Sequence, residues 1–523
     1  MSVSADPNDR TFSFSYASVV CIMAVTLCVV FILLVSFHGC DGNLSFASYY
    51  GDHMVLQKSP DRAVLWGFGP ENEQVTVFLS GPVTQKTLVT VTGGIWRVTL
   101  DPVDAGGPYN VTASSWGSKA TLTDVLFGDV WLCGGQSNMF FKMSEIFNAS
   151  EELALSANYP HVRPFMVALK RSEIELLDLI QVELPWFEPT ATALREFSAV
   201  CWLFGRYMHD KLKYPIGLVE SCWGGTPVEA WSSTRALQKC GLEKTEDVDI
   251  ESNSVLWNSM IHPLLNMTIR GAIWYQGEAN AVYHQDNYNC SFPAMIDDWR
   301  MAFHHGSGGQ TALDFPFGFV QLSTNKKYST DNGFPNIRWH QTADTGFVPN
   351  PRMKKTFMAV ALDLPDETSP YGTIHPRDKQ DVAYRLTLGA RAVADDERDV
   401  TFLGPFPSQI ASNQMYVHVT YDQKISVTPS HDIFEICCSE IWAPCRPDSL
   451  WLPAPIIQWG PNTIQLSAAQ CLFSGEVAAV RYAWKDWPCD FKACPVYGDS
   501  GILPAPPFII SRYGDKASMW KSY

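Results

Sequence analysis

Five stretches between Val125 and Leu364 are apolar almost throughout: VLFGDVWLCG, YPIGLVESCW, IRGAIWYQGE, FPFGFVQL and TFMAVALDL. A strand with one face in water alternates apolar and polar residues. A run that does not alternate has to be covered on both faces, which is the situation of parallel strands with helices packed above and below them. Stretches of helical character stand between and after these runs, FSAVCWLFGRYMHDKL and DKQDVAYRLTLGARAVA being the clearest. The pattern predicts an α/β unit over residues 125–394, with a parallel sheet as the middle of three layers.

The flanks read differently. From about Leu44 to Asp124, short alternating runs (AVLWGF, EQVTVFLSG, KTLVTVTGG, IWRVTL, YNVTASS) are broken by Gly, Pro, Asn and Asp, which predicts a small antiparallel β domain over residues 41–124. The same texture returns after about Asp395 in YVHVTYD, KISVTP, TIQLSA and AAVRYAW, so residues 395–523 are expected to form a C-terminal β domain. With 523 residues, 46% of them hydrophobic and 18% charged, the chain has enough apolar surface for several such units. A net charge of −16 and no Lys/Arg-rich run exclude a nucleic-acid partner, because phosphate binding requires a clustered basic surface. An anionic ligand would need local donors in its pocket.

Residues 1–40 set the compartment. Ala17 to Phe37 is a stretch of about 21 residues without a charge, and is either a signal peptide or a membrane anchor. Asn43, Asn110, Asn148, Asn266 and Asn289 each begin an Asn-x-Ser/Thr sequon, which receives a glycan only in the secretory pathway. Eleven of the fourteen cysteines follow Cys40, as suits an oxidising lumen. Cys489 and Cys494 are spaced to close a small disulfide loop, and an odd eleven leaves one thiol free. The expected location is the lysosomal lumen or the cell exterior, with anchoring through the N-terminal segment as the alternative.

In an open α/β sheet, ligands bind at the carboxyl ends of the strands. The first apolar run ends in CGGQSNM, which places Ser137 at the start of a helix. Ser137 then either caps that helix or acts as a nucleophile, with helix-start N–H groups ready to hold an oxyanion. A serine nucleophile needs a base. His375, in SPYGTIHPRDKQDVAYRL, lies between the last apolar run and the last core helix, with Asp363 and Asp366 upstream as groups that could hold its tautomer. Two other strand ends supply polar groups: Gly224 and Gly225 in SCWGGTPVEAW, and Gln276, Glu278 and Asn280 in WYQGEAN. A Gly-Asp-Ser triplet at Ser500 is set aside because no histidine follows His431.

These four motifs, in this order, resemble the sialate O-acetylesterase family, a branch of the SGNH hydrolases, and the resemblance spans nearly the whole chain after the N-terminal segment. It implies a flavodoxin-like core and removal of O-acetyl groups, typically the 9-O-acetyl of sialic acids, through an acetyl-enzyme. It also implies Ser137 as nucleophile and His375 as base and then acid. The oxyanion hole would combine the Ser137 N–H, a glycine N–H from Gly224 or Gly225, and a side-chain amide, Gln276 before Asn280. Many SGNH enzymes carry an Asp three residues before the histidine, where this chain has Gly372. The orienting group is therefore Asp363, Asp366 or a backbone carbonyl. Glu278, Arg338 and Arg377 are expected at the substrate, the two arginines to attract a sialic acid carboxylate. The chemistry needs no metal and no cofactor. Two other readings stand beside this one: an acetylesterase for other sugars, and a glycan-binding protein without turnover.

Overall fold

The computed structural model describes residues 43–242, 252–439, 445, 449–512 and 517–522. The apolar segment Ala17–Phe37 lies outside them, and no described helix is long and apolar enough to cross a membrane. At the centre is a mixed sheet built on β1 (Ser118–Gly135), β2 (Val162–Val167), β3 (Val182–Leu184), β4 (Ile216–Cys222), β5 (Gly271–Tyr275), β6 (Phe317–Gln321) and β7 (Thr356–Val360). Their spatial order is β3-β2-β4-β1-β5-β6-β7, all parallel except the edge strand β3. The chain leaves β1, builds one side of the sheet through β4, and then builds the other side from β5, so the order reverses beside β1. That reversal opens a crevice at the carboxyl ends of β1, β4 and β5.

Helices cover both faces, as the unbroken apolar runs require. One face carries α1 (Ala199–Leu212) and α4 (Lys379–Val393); the other carries α2 (Tyr288–Gly306), and α3 (Gly333–His340) follows β6. Alternation along β1 selects the layer. Trp131 meets Phe204 of α1, and Cys133 is bonded to Cys201 of α1. Gly134 faces the opposite layer, where Trp274 of β5 and Trp299 of α2 meet edge to face and leave no room for a side chain. Caps set the helix starts: Ser198 accepts the Cys201 N–H at 3.2 Å, and Asp378 accepts the Asp381 N–H at 3.1 Å.

Strand β1 runs on for 18 residues, and its first half belongs to another layer. There it pairs with Gly106–Ser115, which pairs with Gln74–Ser80 and through it with Gln85–Thr90. The division the sequence suggested between residues 124 and 125 thus falls inside one continuous strand, and the N-terminal β residues share a single hydrophobic core with the α/β layers. The C-terminal residues have their own core, formed where a sheet around Tyr416–Tyr421 faces a second around Phe434–Ser439 and Glu476–Tyr482. Further disulfides join Cys240 to Cys290, Cys437 to Cys445, Cys438 to Cys471 and Cys489 to Cys494, leaving the buried Cys222 thiol free among the described residues. Of the sequon asparagines, Asn43, Asn110 and Asn148 are exposed. Asn266 accepts from Arg97, and Asn289 donates to Asp344.

Arg338 locks the C-terminal unit to the core. Its fully buried guanidinium donates to the carbonyls of Leu322 and Ser323 after β6, and to those of Lys485 and Asp486 from the C-terminal unit, all at 2.6–2.8 Å. It is therefore not the substrate-facing arginine the sequence suggested. Arg338→Met leaves those carbonyls without their donor and is expected to lower stability by about 3–5 kcal/mol, read by urea or thermal unfolding.

Candidate active site

The first apolar run stops where two strand ends crowd together. Gly135 has φ +139°, and a Cβ there would lie 2.2 Å from the Tyr275 carbonyl oxygen at the end of β5. Next, the Gln136 N–H donates to that same carbonyl at 2.9 Å. The backbone then turns into the one-turn helix Ser137–Phe140, capped by the Gln136 carbonyl, which accepts the Met139 and Phe140 N–H groups. Ser137 is thus the first helical residue and not the cap. Its hydroxyl is free to donate to His375 Nε2 at 2.9 Å.

His375 stands on the loop between β7 and α4. Its Nδ1 lies 2.8 Å from the Tyr371 carbonyl oxygen. A carbonyl only accepts, so Nδ1 carries the proton and Nε2 presents its lone pair to Ser137. The loop is braced by the Ser369 hydroxyl, which donates to the His375 carbonyl at 2.7 Å, and by the His375 N–H, which donates to Gly372 at 2.9 Å. Phe141 stacks on the imidazole at 6.3 Å. Burial holds the imidazole pKa below the ordinary histidine value, and the charge of Lys379 adds to that effect.

Neither upstream carboxylate reaches His375. Asp363 is fully buried in a bidentate pair with Arg385 of α4 at 2.6 and 2.8 Å, and also accepts from Tyr497 at 2.9 Å. Asp366 is held by Arg377 at 2.6 and 2.9 Å. Both carboxylates were expected as candidates for orienting the histidine; each is instead occupied by an arginine, and the group on Nδ1 is the main-chain carbonyl. Arg377 is committed to Asp366 and lies over the Phe147 ring at 4.5 Å, with 22% of its side chain exposed.

The other strand ends converge on the same place. The Trp223 N–H donates to Gly135, and a Cβ on Gly224 would lie 3.3 Å from Ser137 Cβ, so the Gly224 backbone lies directly against the serine. Gly225 continues the turn at φ +77°. The expected amide donors are used elsewhere. Gln276 donates to Thr226 at 3.2 Å and Asn280 at 2.7 Å; Asn280 donates to Glu229 at 2.9 Å and Tyr283 at 3.1 Å. With all four N–H groups engaged in tying strand-end loops together, neither side chain has a donor left for an oxyanion.

Sequence reasoning passed over two residues. Asn138, next to the serine, donates to Glu278 at 2.6 Å and to the carbonyl of Ile374 at 2.9 Å, joining the serine turn to the histidine loop. Lys379 Nζ donates to Asn138 Oδ1, the side-chain amide oxygen, at 2.6 Å, while Phe141 and Tyr275 rings lie 4.8 and 5.2 Å from that nitrogen. Burial pushes Lys379 down to about 7 and raises Glu278, whose carboxylate accepts from Asn138 inside the core. Both residues stood inside the motifs QSN and HPRDK; their apolar surroundings did not.

Residues 127–342 match the family described as carbohydrate esterase, sialic acid-specific acetylesterase, and residues 407–512 match the sialate O-acetylesterase C-terminal domain. The sialate O-acetylesterase of Mus musculus is 52% identical over 515 residues, covering 89% of this chain and 94% of that protein. The Homo sapiens enzyme is 51% identical over 488 residues, covering 89% and 92%. The chain belongs to the sialate O-acetylesterase family. It is a carboxylic ester hydrolase. Among solved structures, a carbohydrate acetylesterase from Xanthomonas citri superimposes with a TM-score of 0.76 at 28% identity, covering 90% of this chain and all of that one.

In this esterase, Asp363→Asn leaves Arg385 buried without its charge partner. It is expected to cost about 3–5 kcal/mol in unfolding while the folded variant keeps its pH–rate profile. Lys379→Met removes a cation that lowers the His375 pKa. Since it is the neutral imidazole that presents Nε2 to Ser137, the acid limb of kcat/KM is expected to move to higher pH, read from the pH–rate profile.

Proposed function

We propose that this esterase removes O-acetyl groups from sialic acids, with the 9-O-acetyl ester as its main substrate and Ser137 and His375 as a catalytic dyad. The observation that carries the reading is the 2.9 Å contact between the Ser137 hydroxyl and an imidazole whose other nitrogen is held by the Tyr371 carbonyl. His375 Nε2 takes the Ser137 proton as Oγ attacks the acetyl carbonyl. The negative charge that develops on the carbonyl oxygen is held by backbone N–H groups of Ser137 and Gly224, at the helix start and the adjoining turn. His375 then protonates the departing sugar hydroxyl. Water, deprotonated by the same nitrogen, attacks the acetyl-enzyme and releases acetate. Nδ1 keeps its proton throughout, so a neutral acceptor suffices to hold the tautomer.

The substrate class rests on the family, whose relatives bear the name sialate O-acetylesterase. A location in the secretory pathway, in the lysosome or outside the cell, is supported by the five disulfides and by the uncharged N-terminal segment, which is also the candidate membrane anchor. The test is acetate release from 9-O-acetyl-N-acetylneuraminic acid by the secreted protein. Ser137→Ala and His375→Ala are each expected to lose at least about a thousandfold in kcat with the fold retained. Binding of the sialoside without acetate release by the unaltered chain would mark it as a glycan-binding relative.

A further inference from the structure

Beside the catalytic loop, between residues 327–332 and the segment 481–490 of the C-terminal unit, lies a cleft of about 730 Å³. Two of its lining groups are tryptophans: Trp484, 5% exposed, and the partly buried Trp487. The indole N–H of each is buried and, among the described residues, has no hydrogen-bond partner. A third ring, Tyr328, is 90% exposed although its backbone sits at φ +65°. A bulky residue in that conformation is uncommon, and here its ring lies in solvent with Lys327 Nζ 5.8 Å from its centroid.

Each cation that lines this cleft is paired with a carboxylate, and Asp331 and Asp490 line it as well. Arg481 is paired with Glu435 at 2.8 Å, Lys485 with Asp432, and Lys327 with Glu367 at 2.8 Å. A charged ligand would have to displace one of these partners. What remains is the exposed Tyr328 ring, the partly buried Trp487 ring with Lys327 Nζ 5.8 and 5.6 Å from the two centroids, and the rims of ion pairs, a surface suited to a neutral polyhydroxylated ring with an apolar C–H face and hydroxyls around its edge.

The placement ties the cleft to the reaction site. Glu367, which holds Lys327, stands on the same loop as His375. At the other end of segment 327–332, the Gly333 N–H donates to Asp331 at 2.7 Å, and a Cβ on Gly333 would lie 2.7 Å from the Ala281 carbonyl, beside the strand end that carries Glu278. We infer that this cleft is a carbohydrate subsite that holds neutral sugar residues of a sialoglycan while its O-acetyl group is at Ser137. The inference rests on the esterase reading above for its substrate, but the cleft has its own readout.

The experiment uses the whole secreted chain with two kinds of probe. In the first arm, kcat/KM is compared for 9-O-acetylated sialyllactose and free 9-O-acetyl-N-acetylneuraminic acid. Tyr328→Ala is expected to lower the value for the trisaccharide by about five- to tenfold, through KM, and to leave the free sugar unchanged. Trp487→Phe keeps a ring and removes the N–H, and is expected to act in the same direction. Equal effects on both probes, or none on either, would overturn the subsite. In the second arm, lactose is titrated against tryptophan fluorescence, with no ester involved. Binding that Tyr328→Ala weakens supports the cleft even if no acetate is released from any probe, in which case only the esterase reading fails. Absence of lactose binding together with equal KM values for the two ester probes in the unaltered chain would remove the inference and leave the esterase reading standing.

Discussion

The close approach of β1 and β5 at their carboxyl ends is the constraint from which the site is built. With a glycine at 135 and the Tyr275 carbonyl 2.9 Å from the Gln136 N–H, the chain has to leave the sheet sharply, and Ser137 emerges at the head of a single helical turn. The turn is held from below by β1, which is paired along its length, first to the N-terminal strands and then to β4 and β5. A strand buried in this way has little freedom to shift, so the serine is placed by an element paired on both sides.

Around that turn, polar side chains are used more for bracing than for recognition. Gln276 and Asn280 tie loops at the ends of β4 and β5, Asp363 and Arg385 join the end of β7 to α4, and Arg338 fastens the C-terminal unit. Asn138 links the serine turn to the histidine loop and is itself held between a buried acid and a buried lysine. Loops at strand ends carry many unpaired backbone groups, and burying them requires partners. Amides and guanidinium groups, with several donors each, satisfy that need, so their presence near a site is not by itself a sign that they touch the substrate.

The α/β layers were legible because burial on both faces leaves continuous apolar runs, and the serine and histidine because polar motifs stand where those runs end. The edge of the N-terminal unit was not legible. At Asp124–Val125 the pattern changes from half-buried to fully buried while the chain stays extended, so a change in burial within β1 imitates a boundary between domains. Nor was the group that orients His375. A main-chain carbonyl leaves no letter in the sequence, and the search for an acid led to two aspartates that are paired with arginines.

By itself, then, the sequence determined the layer order, the oxidising chemistry of the cysteines, and the pairing of one serine with one histidine, because each follows from residue type and local pattern. The tertiary structure alone decided which donor meets which acceptor. Gln276, Asn280, Arg338 and Asp366 have the chemistry a binding site would use, but a hydrogen bond is directional and short, and its partners here range from within 4 residues to 148 residues away along the chain. Only folding brings the Tyr371 carbonyl to within 2.8 Å of His375 Nδ1, and His375 Nε2 to within 2.9 Å of the Ser137 hydroxyl.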